Sequence, residues 1–274
     1  MGYSRPDPAP SIQLYVIIYI FISSLNSHKI RVLHFICINL HILNELQSAL
    51  ATALRLVVAG DAGLLEIVLL SLRVSLSAVT LAAVIGMPLG ALVALKRFPG
   101  RAGVVTLLNS LMGLPPVVVG LLVYMLLSRA GPLGEHGLLF TPTAMVIAQT
   151  LLVLPIIAAL TRQTLADLHR EYAEQLRSFR VPAWRGALTL LWEGRFSLLT
   201  AVLAGFGRAS AEVGAVMIVG GNINHVTRTM TTAIALETSK GDLSLALALG
   251  FVLIVIVIVI NALALSVQRL EDRV

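Results

Sequence analysis

The chain has 274 residues, 57% of them hydrophobic and only 12% charged, with a mean hydropathy of +0.91. A soluble domain carries about 25% charged residues, so an ordinary soluble globule is excluded. One cysteine, Cys37, excludes an intrachain disulfide framework and a cysteine-based metal cluster, and the net charge of +6 points either to nucleic acid or to loops on the positive side of a membrane.

Residues 1–43 differ in style from the rest, with nine isoleucines, one alanine and three of the six histidines. Their apolar runs, Ile12 to Ile22 and Val32 to Leu43, are 11 and 12 residues long, short of the roughly 20 that a membrane-spanning helix needs. We read this region as an atypical N-terminal extension that adds nothing to function, with a native start expected near Leu43 and Asn44. Residues 44–63 then place Leu46, Leu50, Ala53, Leu54 and Val57 at helical spacing, which predicts an interfacial helix on the outer membrane face.

Five later stretches are long and apolar enough to span: Val74 to Leu95, Val104 to Leu127, Thr143 to Thr161, Phe196 to Gly220 and Leu243 to Val267. None alternates polar with apolar residues over its length, so helices are expected rather than a barrel. The connections after the first and third stretches and the C-terminal tail hold eleven Lys and Arg; the other side holds four, Arg55, Arg129, Arg228 and Lys240. Because short cytoplasmic loops collect basic residues, the first span should start outside and the C-terminus lie in the cytoplasm. The basic surplus is then a topology signal, and no nucleic-acid partner is expected.

Within the second stretch, Leu114-Pro115-Pro116 should break the helix, either as a pore-side turn or as a simple kink. Gly86 and Gly90 form a small-x-x-x-small seam, and Arg73 is expected to snorkel from the outer end of the first span. The fourth stretch places Arg208 and Glu212 four residues apart on one helix face. A charge at mid-bilayer costs about 2.5–3.5 kcal/mol on insertion scales, so this face should meet protein or a watery cavity. The pair reads equally as a mutually neutralised bundle contact or as a substrate contact. In the long connection 162–195, Arg170 to Trp184 reads as a short charged helix ended by Val181-Pro182, either solvated or docked in a partner with Tyr172, Leu176 and Phe179 as anchors. No phosphate-binding loop, H-E-x-x-H or G-x-S-x-G occurs, so the chain is not expected to be an enzyme, to hydrolyse ATP or to hold a metal.

A five-span protein with a glutamate-led helix in its longest cytoplasmic connection resembles the permease subunit of type I ABC importers. That family's loop pattern, E-A-A-x-x-x-G, aligns Glu174 with its glutamate and Arg180 with its glycine, while Gln175 and Leu176 replace the alanines. Pro182 is expected to supply the turn that the glycine provides. The segments LPPVVVGLLVYMLLSRAGPLG, EVGAVMIVGGNI and TRTMTTAIALETSKGDLSLALALG look like the tungstate-type branch, close to molybdate permeases, and the likeness covers Asn44 to Arg269.

The resemblance implies an all-α integral membrane protein with the MetI-like five-span core over residues 64–274, in a bacterial or archaeal cytoplasmic membrane. It implies a second copy of the chain, two copies of an ATPase that uses ATP and Mg, an extracytoplasmic oxyanion-binding protein, and no cofactor bound by this chain. The segment around Glu174 would couple to the ATPase. Arg208, or amides near Gly220, Gly221 and Asn222, would touch the anion transiently. Another oxyanion such as sulfate, or a stand-alone secondary transporter coupled through Arg208 and Glu212, remain the alternatives at this point.

Overall fold

The computed structural model describes residues 43–44, 46–52, 54–55, 58–59 and 62–271. The extension assigned to residues 1–43 therefore lies outside the described residues except for Leu43. The helical residues among 43–58 leave Leu46, Leu50 and Leu54 exposed, and Ser48 Oγ lies 3.0 Å from Ser244 Oγ.

From Ala62 onward the described chain is helical, in nine α-helices and one short 3-10 turn. They are α1 (Ala62–Leu95), α2 (Arg101–Leu111), α3 (Pro116–Leu127), α4 (Pro142–Ser178), α5 (Ala183–Glu193), α6 (Arg195–Ser210), α7 (Gly214–Gly220), α8 (Met230–Lys240) and α9 (Leu243–Glu271), with the 3-10 turn at Gly134–His136. α1, α4 and α9 are each long and apolar enough to cross a membrane. The pairs α2/α3 and α5/α6 reach that length only together, bent by 100° and 70°, so the five expected crossings are present if each pair counts as one.

α1 and α4 form the most extensive helix contact and the centre of the bundle. Lipid tails are as apolar as leucine, so close packing rather than burial from water must hold two such helices together. The Gly86–Gly90 seam does this. A Cβ on Gly90 would lie 2.5 Å from the Ala158 carbonyl oxygen, and one on Gly86 would lie 3.2 Å from that of Leu154. Around the seam, Met145, Val153, Ile157 and Ala158 of α4 are fully buried.

Four expected boundaries differ. The first span starts twelve residues earlier than Val74, because Glu66 and Arg73 interrupt the apolar pattern without interrupting the backbone. Glu66 meets His225 at 2.7 Å and Ser71 Oγ accepts the Met230 N–H at 2.8 Å, while the Arg73 side chain is exposed. The second stretch is not kinked but turned through a corner of 100°, since regular helix ends at Leu111 and Pro115 is extended (ψ 123°) before α3 begins at Pro116.

α4 does not stop at Thr161. It continues through the charged segment to Ser178, 37 residues or about 55 Å, which exceeds the roughly 30 Å hydrocarbon thickness and carries it out past the lipid. The separate helix expected over Arg170 to Trp184 is therefore the end of α4 followed by the start of α5. The fourth stretch, expected as one helix to Gly220, breaks after Ser210 and resumes at Gly214.

Candidate functional site

The break between α6 and α7 is where the sequence placed its intramembrane charge pair. Helix ends leave backbone N–H and C=O groups unpaired, and a break inside a bundle must satisfy them without water. Glu212 does most of this. It is 3% exposed, and its Oε1 accepts the Ala215 N–H at 2.9 Å, capping the start of α7. Its Oε2 lies 2.6 Å from Arg208 Nη1, and its carbonyl accepts the Thr231 hydroxyl of α8 at 2.8 Å. From the other side, Gln149 Nε2 of α4 donates to the Ala209 carbonyl at 3.1 Å.

Arg208 and Glu212 thus pair, but not on one helix face as expected. The helix ends at Ser210, and the pair spans the break with Glu212 outside regular structure. The arginine keeps 29% of its side chain exposed, so the carboxylate is the buried partner and the guanidinium the accessible one. α3 closes the other side of the break. Gly120 sits so near α7 that a Cβ there would lie 2.7 Å from Ala215 Cα, and the corner at Pro115 and Pro116 directs α3 into that contact.

Beyond α7 the chain turns at Gly221 (φ 71°) and Asn222 (φ 50°) and re-enters toward α8. The Gly221 N–H is held by the Met217 carbonyl at 3.0 Å, Thr227 Oγ1 donates to the Gly220 carbonyl at 2.6 Å, and Asn222 Nδ2 donates to the Thr232 carbonyl at 3.4 Å. The turn is therefore tied by its own bonds, and the Gly221 amide is engaged within the chain. Among Arg208, Gly221 and Asn222, the Arg208 side chain carries the positive charge and is the one suited to an anion.

The sequence reading missed Gln149, Thr229, Thr231 and Thr232, which surround the break. Their available signal was an uncharged polar residue inside an otherwise apolar stretch and the run Thr229-Met-Thr-Thr. Together with Ser71 and Ser75, three of them, Gln149, Thr229 and Thr231, line a cavity of about 20 Å³, room for about one water and none for a tetrahedral oxyanion. Among the described residues, no three His, Cys, Asp or Glu side chains gather in a way that could hold a metal ion.

The second candidate region is the elbow between α4 and α5. Tyr172 and Leu176, expected as anchors for a partner, instead pack inward with Leu165, Leu168 and Leu190. With Phe179, Thr189 and Glu193 they line a recess of about 290 Å³, and Phe179, 79% exposed, stands at its edge. Glu174 is exposed. The turn itself falls at Arg180, whose φ of 51° lies in the left-handed region, while the Val181 N–H donates to the Leu176 carbonyl at 3.0 Å. Pro182 was expected to make this turn; it sits instead at the entry to α5, with extended geometry. The position aligned with a glycine thus adopts the backbone that favours one.

Residues 86–273 match the model of the binding-protein-dependent transport system inner membrane component family. The chain belongs to this family. It is accordingly a permease component, the membrane-embedded part of a transporter that works with a binding protein, and not a catalytic subunit. Among its relatives, the tungstate uptake system permease of Peptoclostridium acidaminophilum is 41% identical over 216 residues, covering 79% of this chain and 95% of that protein. A probable anion ABC transporter permease of Haloferax volcanii is 40% identical over 185 residues, covering 66% and 80%. The tungstate uptake permease of Campylobacter jejuni is 43% identical over 150 residues, covering 55% and 61%.

Proposed function

We propose that this permease forms, with a second copy of itself, the passage through which an ABC importer brings tungstate, or molybdate, across a bacterial or archaeal cytoplasmic membrane. The choice of anion is carried by identity: 41% and 43% to two tungstate permeases, against 29% to a sulfate permease of Synechocystis and 28% to the molybdenum permease of Escherichia coli. An extracytoplasmic protein delivers the anion. Two copies of a separate ATPase, using ATP and Mg, drive the cycle. A stand-alone secondary transporter does not accord with membership of a binding-protein-dependent family.

The end of the bundle that carries Lys96, Arg97, Arg101 and the α4–α5 elbow is the cytoplasmic one, on the rule that basic loops stay inside. There the recess behind Phe179 accepts an ATPase side chain, with Glu174 as a charged contact beside it. α4 is one continuous rod from this elbow to the buried break, so a push at Phe179 reaches Gln149, the residue that grips the end of α6. At that break Arg208 offers a weak, partly exposed contact for a passing anion. The tethered carboxylate of Glu212 keeps the site from holding it tightly.

The test is ATP-dependent uptake in proteoliposomes holding the permease, its ATPase and its binding protein. Tungstate should enter and sulfate should compete poorly; equal competition by sulfate would overturn the anion assignment. Glu174→Lys should leave the complex assembled with ATP hydrolysis no longer stimulated by the loaded binding protein, and full stimulation in that variant would remove Glu174 from the coupling contact.

A further inference from the structure

The water-sized cavity lies at the end of α6, and the side chains around it do not all complete their hydrogen bonds within the chain. Most of them do. Ser71 Oγ donates to the Ile67 carbonyl at 2.7 Å and accepts the Met230 N–H at 2.8 Å, the Thr231 hydroxyl is engaged by the Glu212 carbonyl, and Thr229 Oγ1 lies 3.2 Å from Thr232 Oγ1. Three side-chain oxygens of the lining are different: Gln149 Oε1 of α4, Ser75 Oγ of α1 and Ser210 Oγ of α6 make no hydrogen bond to another described residue.

Gln149 and Ser75 are 3% and 5% exposed, so bulk solvent does not complete them. The amide gains nothing by turning over. Its Nε2 donates to the Ala209 carbonyl at 3.1 Å, and the reversed amide would set oxygen against oxygen, so Oε1 is the end without a donor. A serine inside a helix can donate to the carbonyl one turn back, as Ser71 does; Ser75 does not. A buried acceptor without a donor is costly, and buried waters occur where about three such polar groups border a space of one water.

The chemistry of the lining selects the occupant. Water donates twice and accepts twice, so it can give one hydrogen to Gln149 Oε1 and bond both hydroxyls, each of which donates or accepts. A hard cation such as calcium takes about six to eight oxygens, whereas this lining holds no carboxylate and the Arg208 guanidinium belongs to a residue two positions from Ser210. Leu72, Phe206 and Leu253 make the rest of the wall apolar, which confines a water to the polar end.

We propose that one ordered water occupies this site and joins α1, α4 and α6 at the break, hydrogen-bonded to Ser75, Gln149 and Ser210. The Gln149 amide then holds α6 by both of its ends, directly at Ala209 and through the water at Ser210. Because a water turns to meet shifted partners, the joint can move without stranding the amide, whichever anion crosses.

X-ray footprinting of the full-length permease in nanodiscs tests this, because radiolysis of a bound water releases hydroxyl radical in place and oxidises side chains that outside solvent does not reach. The chain holds a matched pair of reporters. Met230 lines the cavity and is 1% exposed, while Met145 is 0% exposed and is not part of the lining. Met230 should be oxidised severalfold faster than Met145, at the same rate in sodium and in choline buffer. Equal rates for the two methionines overturn the site, and a Met230 signal that disappears without sodium overturns water as its occupant. Ser75→Val fills the space and removes one hydroxyl, so Met230 should fall to the rate of Met145; an unchanged Met230 rate in the folded variant also overturns the site. Should Ser75→Val fail to fold, Gln149→Met keeps the side-chain length, removes the oxygen and carries the same expectation.

Discussion

The chain breaks its helices at two places of functional interest, and the two breaks are made in different ways. Between α6 and α7 the interruption is buried, and Glu212, through its bonds to Arg208, Ala215 and Thr231, replaces what water would otherwise supply. Between α4 and α5 the interruption is exposed, and a single left-handed residue, Arg180, turns the chain with only local backbone bonds. The difference shows that a break inside a membrane bundle is a problem of polar satisfaction, whereas one at its edge is a problem of backbone conformation. It also separates the two in mechanical terms: the buried break is fastened to three helices, while the exposed one rests on the packing of α5 against α4.

The largest effect should come from cutting the buried fastening. Glu212→Ala leaves Arg208 without its carboxylate and α7 without its cap, and losing one partner of a buried pair costs about 3–5 kcal/mol. Thermal unfolding of the purified chain should show a large drop in midpoint, and adding Arg208→Ala should restore part of it. Failure of the second change to restore anything would mean that the cap on Ala215, rather than the ion pair, holds the break.

A smaller effect is expected where packing, not polarity, holds the helices together. Gly90→Val forces methyl groups against the Ala158 carbonyl and the Thr161 side chain, and overpacking of this kind costs about 1–3 kcal/mol. Gly103→Ala, with nothing within 4 Å of the added carbon, is the matched control and should be neutral or slightly stabilising. Comparable losses in the two variants would contradict the close α1–α4 approach.

The smallest change should have the opposite sign. Arg180→Gly relieves a left-handed backbone that costs an L-residue about 1 kcal/mol, so the unfolding midpoint should rise slightly. If it falls, the Arg180 side chain contributes more at the elbow than its backbone costs. Ranked together, these variants distinguish a break held by hydrogen bonds from one held by conformation.

Much of this architecture was legible in sequence because its physical causes are local. The crossings follow from apolar length, the corner at Pro115 and Pro116 from missing N–H groups, and the α1–α4 seam from two glycines one turn apart. The likeness carried by EVGAVMIVGGNI and the segment around Glu174 already pointed to the permease family. The Arg208–Glu212 pair was found for a sound reason, the cost of an unpaired charge in lipid, although its setting was misjudged. Hydropathy reports composition, and EVGAVM is as apolar around its glutamate as an intact helix would be. Nothing in the local pattern says that the chain stops at Ser210.

The sequence by itself determined that this is a helical membrane protein, which stretches are apolar enough to cross, which end is basic and which family it belongs to, because length, charge and motif spacing are properties of the chain taken one segment at a time. Only the tertiary structure decided that α4 runs unbroken from the Phe179 elbow to the buried break, and that Tyr172 and Leu176 face inward. It alone brought Gln149 and Thr231 to the termini around Glu212. Those outcomes depend on what lies opposite each residue, and a polar group in lipid goes wherever another helix can complete its hydrogen bonds.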